Sequence, residues 1–169
     1  MISIAIIEDE EAIRKQLIQL IERQNKSCKI AEFASGDDFL LAKECYSLIF
    51  LDIHLGGKNG IEVAKELRRR EKESVIIFVT ALKDYVFQAF DVSAFHYIVK
   101  PISNDQFSQT FDRVVKYIDW FSQFIDKKIH LQAKGRSITL EEKEILCLAK
   151  EKYSSFKKAY MRYLQNGNY

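Results

Sequence analysis

Leu48 to Arg68 reads LIFLDIHLGGKNGIEVAKELR and is the most informative part of the chain. The apolar run Ser47 to Ile53 (SLIFLDI) carries an aspartate near its end, and a glycine-containing loop then leads into a helical pattern. A continuous apolar strand is buried on both faces, as parallel sheets require. The stretch therefore predicts a strand, a loop and a helix of an α/β fold, with Asp52 at the carboxyl end of the strand.

Four other short β-rich runs alternate with helical patterns. They are Ser3 to Ile7, Ile30 to Ala34, Val75 to Thr80 and Phe95 to Val99. Strand and helix repeated in this way predict a doubly wound, five-stranded parallel sheet of the flavodoxin-like order 2-1-3-4-5, which binds ligands outside the carboxyl ends of its strands. We interpret Ser35, Asp37 and Asp84 as helix N-caps, and Asp84 to Phe90 as the fourth helix.

Composition restricts the class of protein. The chain has 169 residues, of which 47% are hydrophobic and 30% charged, with one Pro and six Gly, so collagen-like and disordered classes are excluded. It has no apolar run of the roughly 18 residues that a membrane span needs, and Met1-Ile2-Ser3 does not resemble a signal peptide. We expect a cytoplasmic protein. Cys28, Cys45 and Cys147 lack metal-site spacing and are predicted to be small core residues.

Charged and hydroxyl side chains follow four of the predicted strands. Glu8-Asp9-Glu10 follows the first strand, Asp52 the third and Lys100 the fifth, while Thr80 ends the fourth. In the order 2-1-3-4-5 the first and third strands are neighbours, so Glu8, Asp9 and Asp52 should converge. Clustered carboxylates suit Mg²⁺, and Lys100 would attract an anion. Taken alone, an acidic pair such as Glu8-Asp9 after a strand is more often a helix N-cap.

The same residues carry a family resemblance. IIEDE at Ile6 to Glu10, LIFLDIHLGGKNGIEVAKELR, IIFVTA at Ile76 to Ala81 and FHYIVKP at Phe95 to Pro101 resemble the receiver domain of two-component response regulators. The resemblance covers residues 2 to 118, and the predicted domains are therefore a receiver at 1–118 and a remainder at 119–169. Glu8 stands where Asp is commoner in this family.

The resemblance implies a function and a role for each site residue. Asp52 would accept a phosphoryl group from a cognate histidine kinase, so the chain would be a phosphoacceptor and not a metabolic enzyme. The remaining roles would be Mg²⁺ binding by Glu8, Asp9, Asp52 and the backbone carbonyl of His54, phosphoryl contact by Lys100 and Thr80, and inward rotation of Tyr97. A phosphate-ester hydrolase on the same fold is a weaker alternative, because His54 stands where a second acid would be expected.

The remainder begins with a long predicted helix. From Asn104 it carries apolar residues at heptad spacing: Phe107, Phe111, Val114, Ile118, Phe121 and Ile125. The part through Val114 should pack on the sheet, whereas Ile118, Trp120, Phe121, Phe124 and Ile125 would form an exposed apolar patch. We therefore expect a homodimer formed through the C-terminal helix.

The last part of the chain is basic. From Tyr117 onward there are 10 Lys and Arg against 6 Asp and Glu, compared with 16 against 18 before it. Lys128 to Leu148 alternates as two strands about Lys134-Gly135-Arg136 and resembles the opening of a LytTR-type DNA-binding module. Fewer residues remain than that module needs, so we expect a helical linker and a partial or truncated module. A DNA-binding transcription regulator is the alternative function.

Overall fold

The computed structural model of the protein describes residues 1–24, 27–42, 44–70, 74–126, 130–133 and 136–139, with side chains as far as Phe121. Contacts divide the chain into two units, Met1–Val115 and Lys116–Tyr169. The elements in chain order are β1 (Ile2–Ile7), α1 (Glu11–Glu22), β2 (Cys28–Phe33), α2 (Gly36–Leu41), β3 (Leu48–Leu51), α3 (Gly60–Arg69), β4 (Val75–Thr80), α4 (Val86–Asp91), β5 (His96–Val99), α5 (Asn104–Asp126), β6 (His130–Ala133) and β7 (Arg136–Thr139).

The first unit is built on a five-stranded parallel sheet. Its strand order is β2-β1-β3-β4-β5, which confirms the predicted doubly wound fold. Ile7 on β1 is in register with Leu51 on β3, and Thr80 on β4 with Val99 on β5. The next residues along β1, β3 and β5 are Glu8, Asp52 and Lys100, so the register brings these three side chains to one edge of the sheet.

The two central strands are buried on both faces. All four residues of β3 and all six of β4 are inaccessible to solvent or nearly so, as the continuous apolar runs predicted. On one face, Phe50 stacks on Phe107 of α5 with ring centroids 5.6 Å apart, and Phe107 stacks on Phe111 at 5.8 Å. The first half of α5 thus packs on the sheet, as predicted.

One of the three predicted N-caps is confirmed. The Ser35 hydroxyl accepts a hydrogen bond from the Asp38 backbone N–H at 3.1 Å and caps α2. Asp37 is not a cap, because it lies inside the first turn and its carboxylate pairs with Lys58 Nζ at 3.0 Å. Asp84 is not a cap either. The fourth helix begins only at Val86, and its N-cap residue, Tyr85, makes no side-chain capping bond.

The prediction that the cysteines are core residues is wrong for the two that the structure describes. Cys28 is only half-buried and Cys45 is exposed. Cys45 lies in the irregular segment between α2 and β3, where no periodic pattern directs a side chain inward. Cys147 lies outside the described residues.

The second unit contains the end of α5 and an antiparallel hairpin. Strands β6 and β7 are antiparallel and pair with Ala133 opposite Arg136, which confirms two of the predicted strands; Lys134 and Gly135 of the predicted turn lie outside the described residues. In the predicted apolar patch, Ile118 is buried and Trp120 is 38% exposed. Phe124 and Ile125 lie beyond the described side chains. In the part of the chain that the structure describes, no helix is both long enough and apolar enough to cross a membrane.

The start of α3 lies directly against the end of β3. Gly60 donates its backbone N–H to the Ile53 carbonyl at 2.9 Å. A Cβ atom at Gly60 would lie 2.0 Å from the Asp52 carbonyl oxygen, so no side chain fits between the helix and the backbone of Asp52. The absence of a side chain at position 60 therefore allows the loop after Asp52 to close.

We expect Gly60→Ala to destabilise the protein by about 3 kcal/mol or more, because the added methyl group overlaps the Asp52 carbonyl and forces backbone to shift. The matched control is Gly57→Ala in the same loop, where the nearest atom to a new Cβ is the flexible Asp37 carboxylate at 3.6 Å. Urea unfolding measures both. Equal stability of the two variants would contradict the prediction.

Candidate functional site

Three carboxylates meet at the carboxyl ends of β1 and β3. One ligand oxygen from each of Glu8, Asp9 and Asp52 lies within 4.8 Å of the other two, a spacing that could hold one metal ion. Glu8 and Asp52 are buried, and Asp9 is exposed. Neither Glu8 nor Asp9 caps α1, because the N-cap residue of that helix is Glu10. The N-cap alternative for the acidic pair is therefore excluded, and the predicted convergence of the three acids is found.

Lys100 compensates the two buried acids. Its Nζ lies 2.7 Å from Asp52 Oδ2 and 2.8 Å from Glu8 Oε2, and only 12% of its side chain is exposed. Burial lowers the pKa of Lys100, but its hydrogen bond to Asp52 and its ion pair with Glu8 outweigh that effect, so the pKa is raised above 10.5. Lys100 therefore stays charged at the centre of the site.

The surroundings of Glu8 disfavour the charged form of its carboxyl group. Burial raises its pKa from 4.5 to about 7; the ion pair with Lys100 opposes this shift and the charge of Asp52 adds to it. Its Oε2 is fully buried and, although ion-paired, receives no well-directed hydrogen bond. A divalent cation would satisfy this oxygen and neutralise the crowded carboxylates. The donor set, made only of hard oxygens, fits such an ion.

Thr80 and Tyr97 both contact the backbone of Leu82. The buried Thr80 hydroxyl accepts a hydrogen bond from the Leu82 N–H at 3.3 Å. The Tyr97 hydroxyl donates to the Leu82 carbonyl, and its ring lies against Phe78 with centroids 6.2 Å apart. Burial, followed by the charge of Asp52, raises the pKa of Tyr97 to about 12, so the hydroxyl stays protonated. In this structure Tyr97 is half-buried.

His54 contributes its backbone to the site. Its N–H donates to Asp52 Oδ1 at 3.1 Å and fixes one oxygen of that carboxylate, while its imidazole is exposed. Metal binding by the His54 carbonyl stays a prediction.

Two residues near the site were given no role in the sequence prediction. Glu10 Oε1 lies 3.7 Å from Lys100 Nζ, at the solvent rim. Arg14 Nη1 donates to the backbone carbonyls of Glu8 at 2.7 Å and Asp9 at 3.0 Å. The sequence feature that could have indicated Arg14 is its spacing. It lies one helical turn after Glu10, so its side chain can point back toward the acidic pair.

Residues 4–112 match the family of the response regulator receiver domain. The chain belongs to this family. The match covers the acidic pair, Asp52, Thr80 and Lys100, so these residues occupy one receiver domain.

The chain is similar to curated proteins named for sensory transduction and for transcriptional regulation. The chain is 40% identical over 119 residues to the sensory transduction protein LytT of Oceanobacillus iheyensis, covering 68% of this chain and 48% of the relative. It is 33% identical over 111 residues to the transcriptional regulatory protein LytR of Staphylococcus aureus, covering 64% and 45%. The chain thus spans about half the length of these curated relatives.

A solved structure also resembles this receiver. The response regulator TrrA of Thermotoga maritima, in complex with Mg(2+)-BeF, is 30% identical, with a TM-score of 0.59, covering 68% of this chain and 99% of that one. This similarity agrees with the five-stranded parallel fold.

We expect Glu8→Gln to stabilise the metal-free receiver at pH 8 by about 1–3 kcal/mol. A carboxyl whose pKa is about 7 in the folded protein contributes stability that is present below pH 4.5 and lost as the pH rises through about 7. The gain from the substitution should therefore shrink between pH 8 and pH 5.

Urea unfolding in EDTA at both pH values measures this difference, with the exposed Glu22→Gln as control. A Glu8→Gln variant that is no more stable than wild type at pH 8 would contradict the burial argument.

Proposed function

We propose that the chain is a phosphorylation-dependent response regulator that accepts a phosphoryl group on Asp52. The observation that carries the proposal is the position of its carboxylate. Asp52 lies at the end of a buried strand, 2.7 Å from Lys100 Nζ, and beside two further acids. A carboxylate is a competent nucleophile toward phosphorus when neighbouring cations share its charge.

The proposed transfer starts from a phosphohistidine of a cognate histidine kinase. A carboxylate oxygen of Asp52 attacks the phosphorus, an O–P bond forms and the P–N bond breaks. The electron pair of that bond remains on the imidazole nitrogen, which takes a proton from water. Lys100, already paired with Asp52, is placed to follow the negative charge onto the phosphoryl oxygens. The chain is thus a phosphoacceptor and not an enzyme that acts on a metabolite.

Glu8, Asp9 and Asp52, with the His54 carbonyl, are the residues that would hold Mg²⁺. When bound, the ion supplies positive charge that offsets both the carboxylates and the phosphoryl oxygens. The buried Glu8 Oε2, which has no well-directed hydrogen bond, and the spacing of the acids support this assignment. The Mg(2+)-BeF complex of TrrA, at 30% identity, supports it as well.

The output is a change of packing near α4 and β5. Thr80 would turn its hydroxyl toward the phosphoryl group, and Tyr97 would respond through the Leu82 backbone that both residues contact. A homodimer formed through the C-terminal helix stays a prediction, supported by the exposure of Trp120.

DNA binding is the alternative function. It is supported by the basic composition from Tyr117 onward, by the β6–β7 hairpin and by the similarity to the transcriptional regulatory protein LytR of Staphylococcus aureus. In this case we expect the chain to retard duplex DNA in a gel at about 50 mM salt and to release it at about 200 mM. Lys157→Gln combined with Lys158→Gln should weaken the shift. DNA that migrates freely at the lower salt would exclude this function.

For the leading function, we expect incubation with a small acyl phosphate and Mg²⁺ to add the mass of one phosphoryl group to the wild-type chain. Asp52→Asn should add none, because an amide cannot form the acyl phosphate. The matched control is Asp112→Asn, an exposed aspartate on α5, which should behave like wild type. Intact mass spectrometry measures all three. Phosphorylation of Asp52→Asn, or of no variant at all, would refute the proposal.

A further inference from the structure

We infer that Arg14 is a positioning residue for Asp9, holding that carboxylate in place as a metal ligand. The inference rests on the Mg²⁺ site proposed above and assigns to it a residue outside the four proposed ligands. Arg14 lies on α1, and its side chain is 15% exposed. The charge of the Arg14 guanidinium alone would repel a metal ion at this site, so a favourable role of Arg14 must come from its hydrogen bonds.

The guanidinium holds the backbone on both sides of Asp9. Arg14 Nη1 donates to the Glu8 carbonyl at 2.7 Å and to the Asp9 carbonyl at 3.0 Å. These two carbonyls belong to the peptide planes that precede and follow the Asp9 Cα. Since planar peptides leave only φ and ψ free, fixing both planes fixes the direction of the Asp9 Cα–Cβ bond.

Asp9 is the proposed ligand that most needs such support. Glu8 and Asp52 are buried, and both carboxylates are held by Lys100, with the His54 N–H as a further donor to Asp52. Asp9 is exposed, so neither burial nor the Lys100 pair holds its carboxylate. Its orientation therefore depends on its backbone, and that backbone is held by Arg14.

Arg14 is itself oriented by the neighbouring strand. Its Nε lies 3.4 Å from Glu32 Oε2, and Glu32 on β2 is in register with Ile6 on β1. The Nε edge of the guanidinium therefore pairs with Glu32 on β2, while Nη1 contacts the loop after β1. A planar fork can serve both directions at once, which a single ammonium group does less well.

Magnesium titration of the full chain by calorimetry tests the inference, because charge and positioning predict opposite signs. Removing a nearby cation should tighten Mg²⁺ binding if only charge matters. If Arg14 positions Asp9, Arg14→Gln should bind about tenfold more weakly. Lys15→Gln is the matched control, since it removes the adjacent cation, which pairs with Glu11 and not with the loop. Lys15→Gln should change the Mg²⁺ affinity by less than about twofold.

Arg14→Gln that binds Mg²⁺ as tightly as wild type, or more tightly, would overturn the inference. Should that variant fail to fold, Arg14→Lys keeps the charge and removes the fork. We expect it to bind about threefold more weakly, and an affinity equal to wild type would overturn the inference.

A second measurement on the metal-free chain separates this inference from the proposed function. The carbonyl ¹³C resonances of Glu8 and Asp9 report their hydrogen bonds directly. In Arg14→Gln both should move upfield, and in Lys15→Gln neither should. If wild type binds no Mg²⁺, the metal site fails and the role of Arg14 toward a metal fails with it. If wild type binds Mg²⁺ but the carbonyl resonances do not move, only the inference about Arg14 fails.

Discussion

The site depends on one buried lysine. The register of a parallel sheet brings Glu8 and Asp52 to adjacent strand ends, and both are buried there. Two carboxylates buried at adjacent strand ends destabilise the folded protein unless a positive charge lies between them. Lys100, from the far strand of the same edge, contacts both. It therefore ties three strand ends together in the metal-free protein and stands where an incoming anion would arrive.

Lys100 compensates only part of the negative charge at the site, and the remaining charge favours a bound cation. One ammonium cannot neutralise Glu8, Asp9 and Asp52, and burial leaves the pKa of Glu8 at about 7. Near neutral pH this carboxyl therefore exchanges between a proton and a charge that needs another partner. A divalent cation bound here would compete with a proton for the same oxygen, so its affinity for this site would depend on pH. The same crowding that costs stability gives the site its capacity for a cation.

Periodicity and strand-end chemistry carried most of the sequence prediction. The continuous apolar runs at β3 and β4 predicted burial on both faces, and the acids and Lys100 after the strands predicted their convergence. Features that depend on single side-chain contacts could not be predicted in this way. Asp37 looks like a cap in sequence, but its carboxylate reaches Lys58, which is 21 residues away. Arg14 reads as an ordinary helical arginine until the loop that it contacts is seen.

A single residue, Leu82, connects Thr80 at the site with Tyr97 on β5. Leu82 gives its N–H to Thr80 and its carbonyl to Tyr97, so neither hydroxyl changes partner without disturbing the same backbone. A phosphoryl group on Asp52 would offer Thr80 a charged acceptor, which forms a stronger hydrogen bond than a neutral N–H donor can. If the hydroxyl rotated away to donate to that acceptor, the Leu82 N–H would lose its present partner, while the Leu82 carbonyl would keep the Tyr97 hydroxyl. α4 begins four residues further on, at Val86, so the start of that helix is the nearest element that such an exchange of hydrogen bonds would reach.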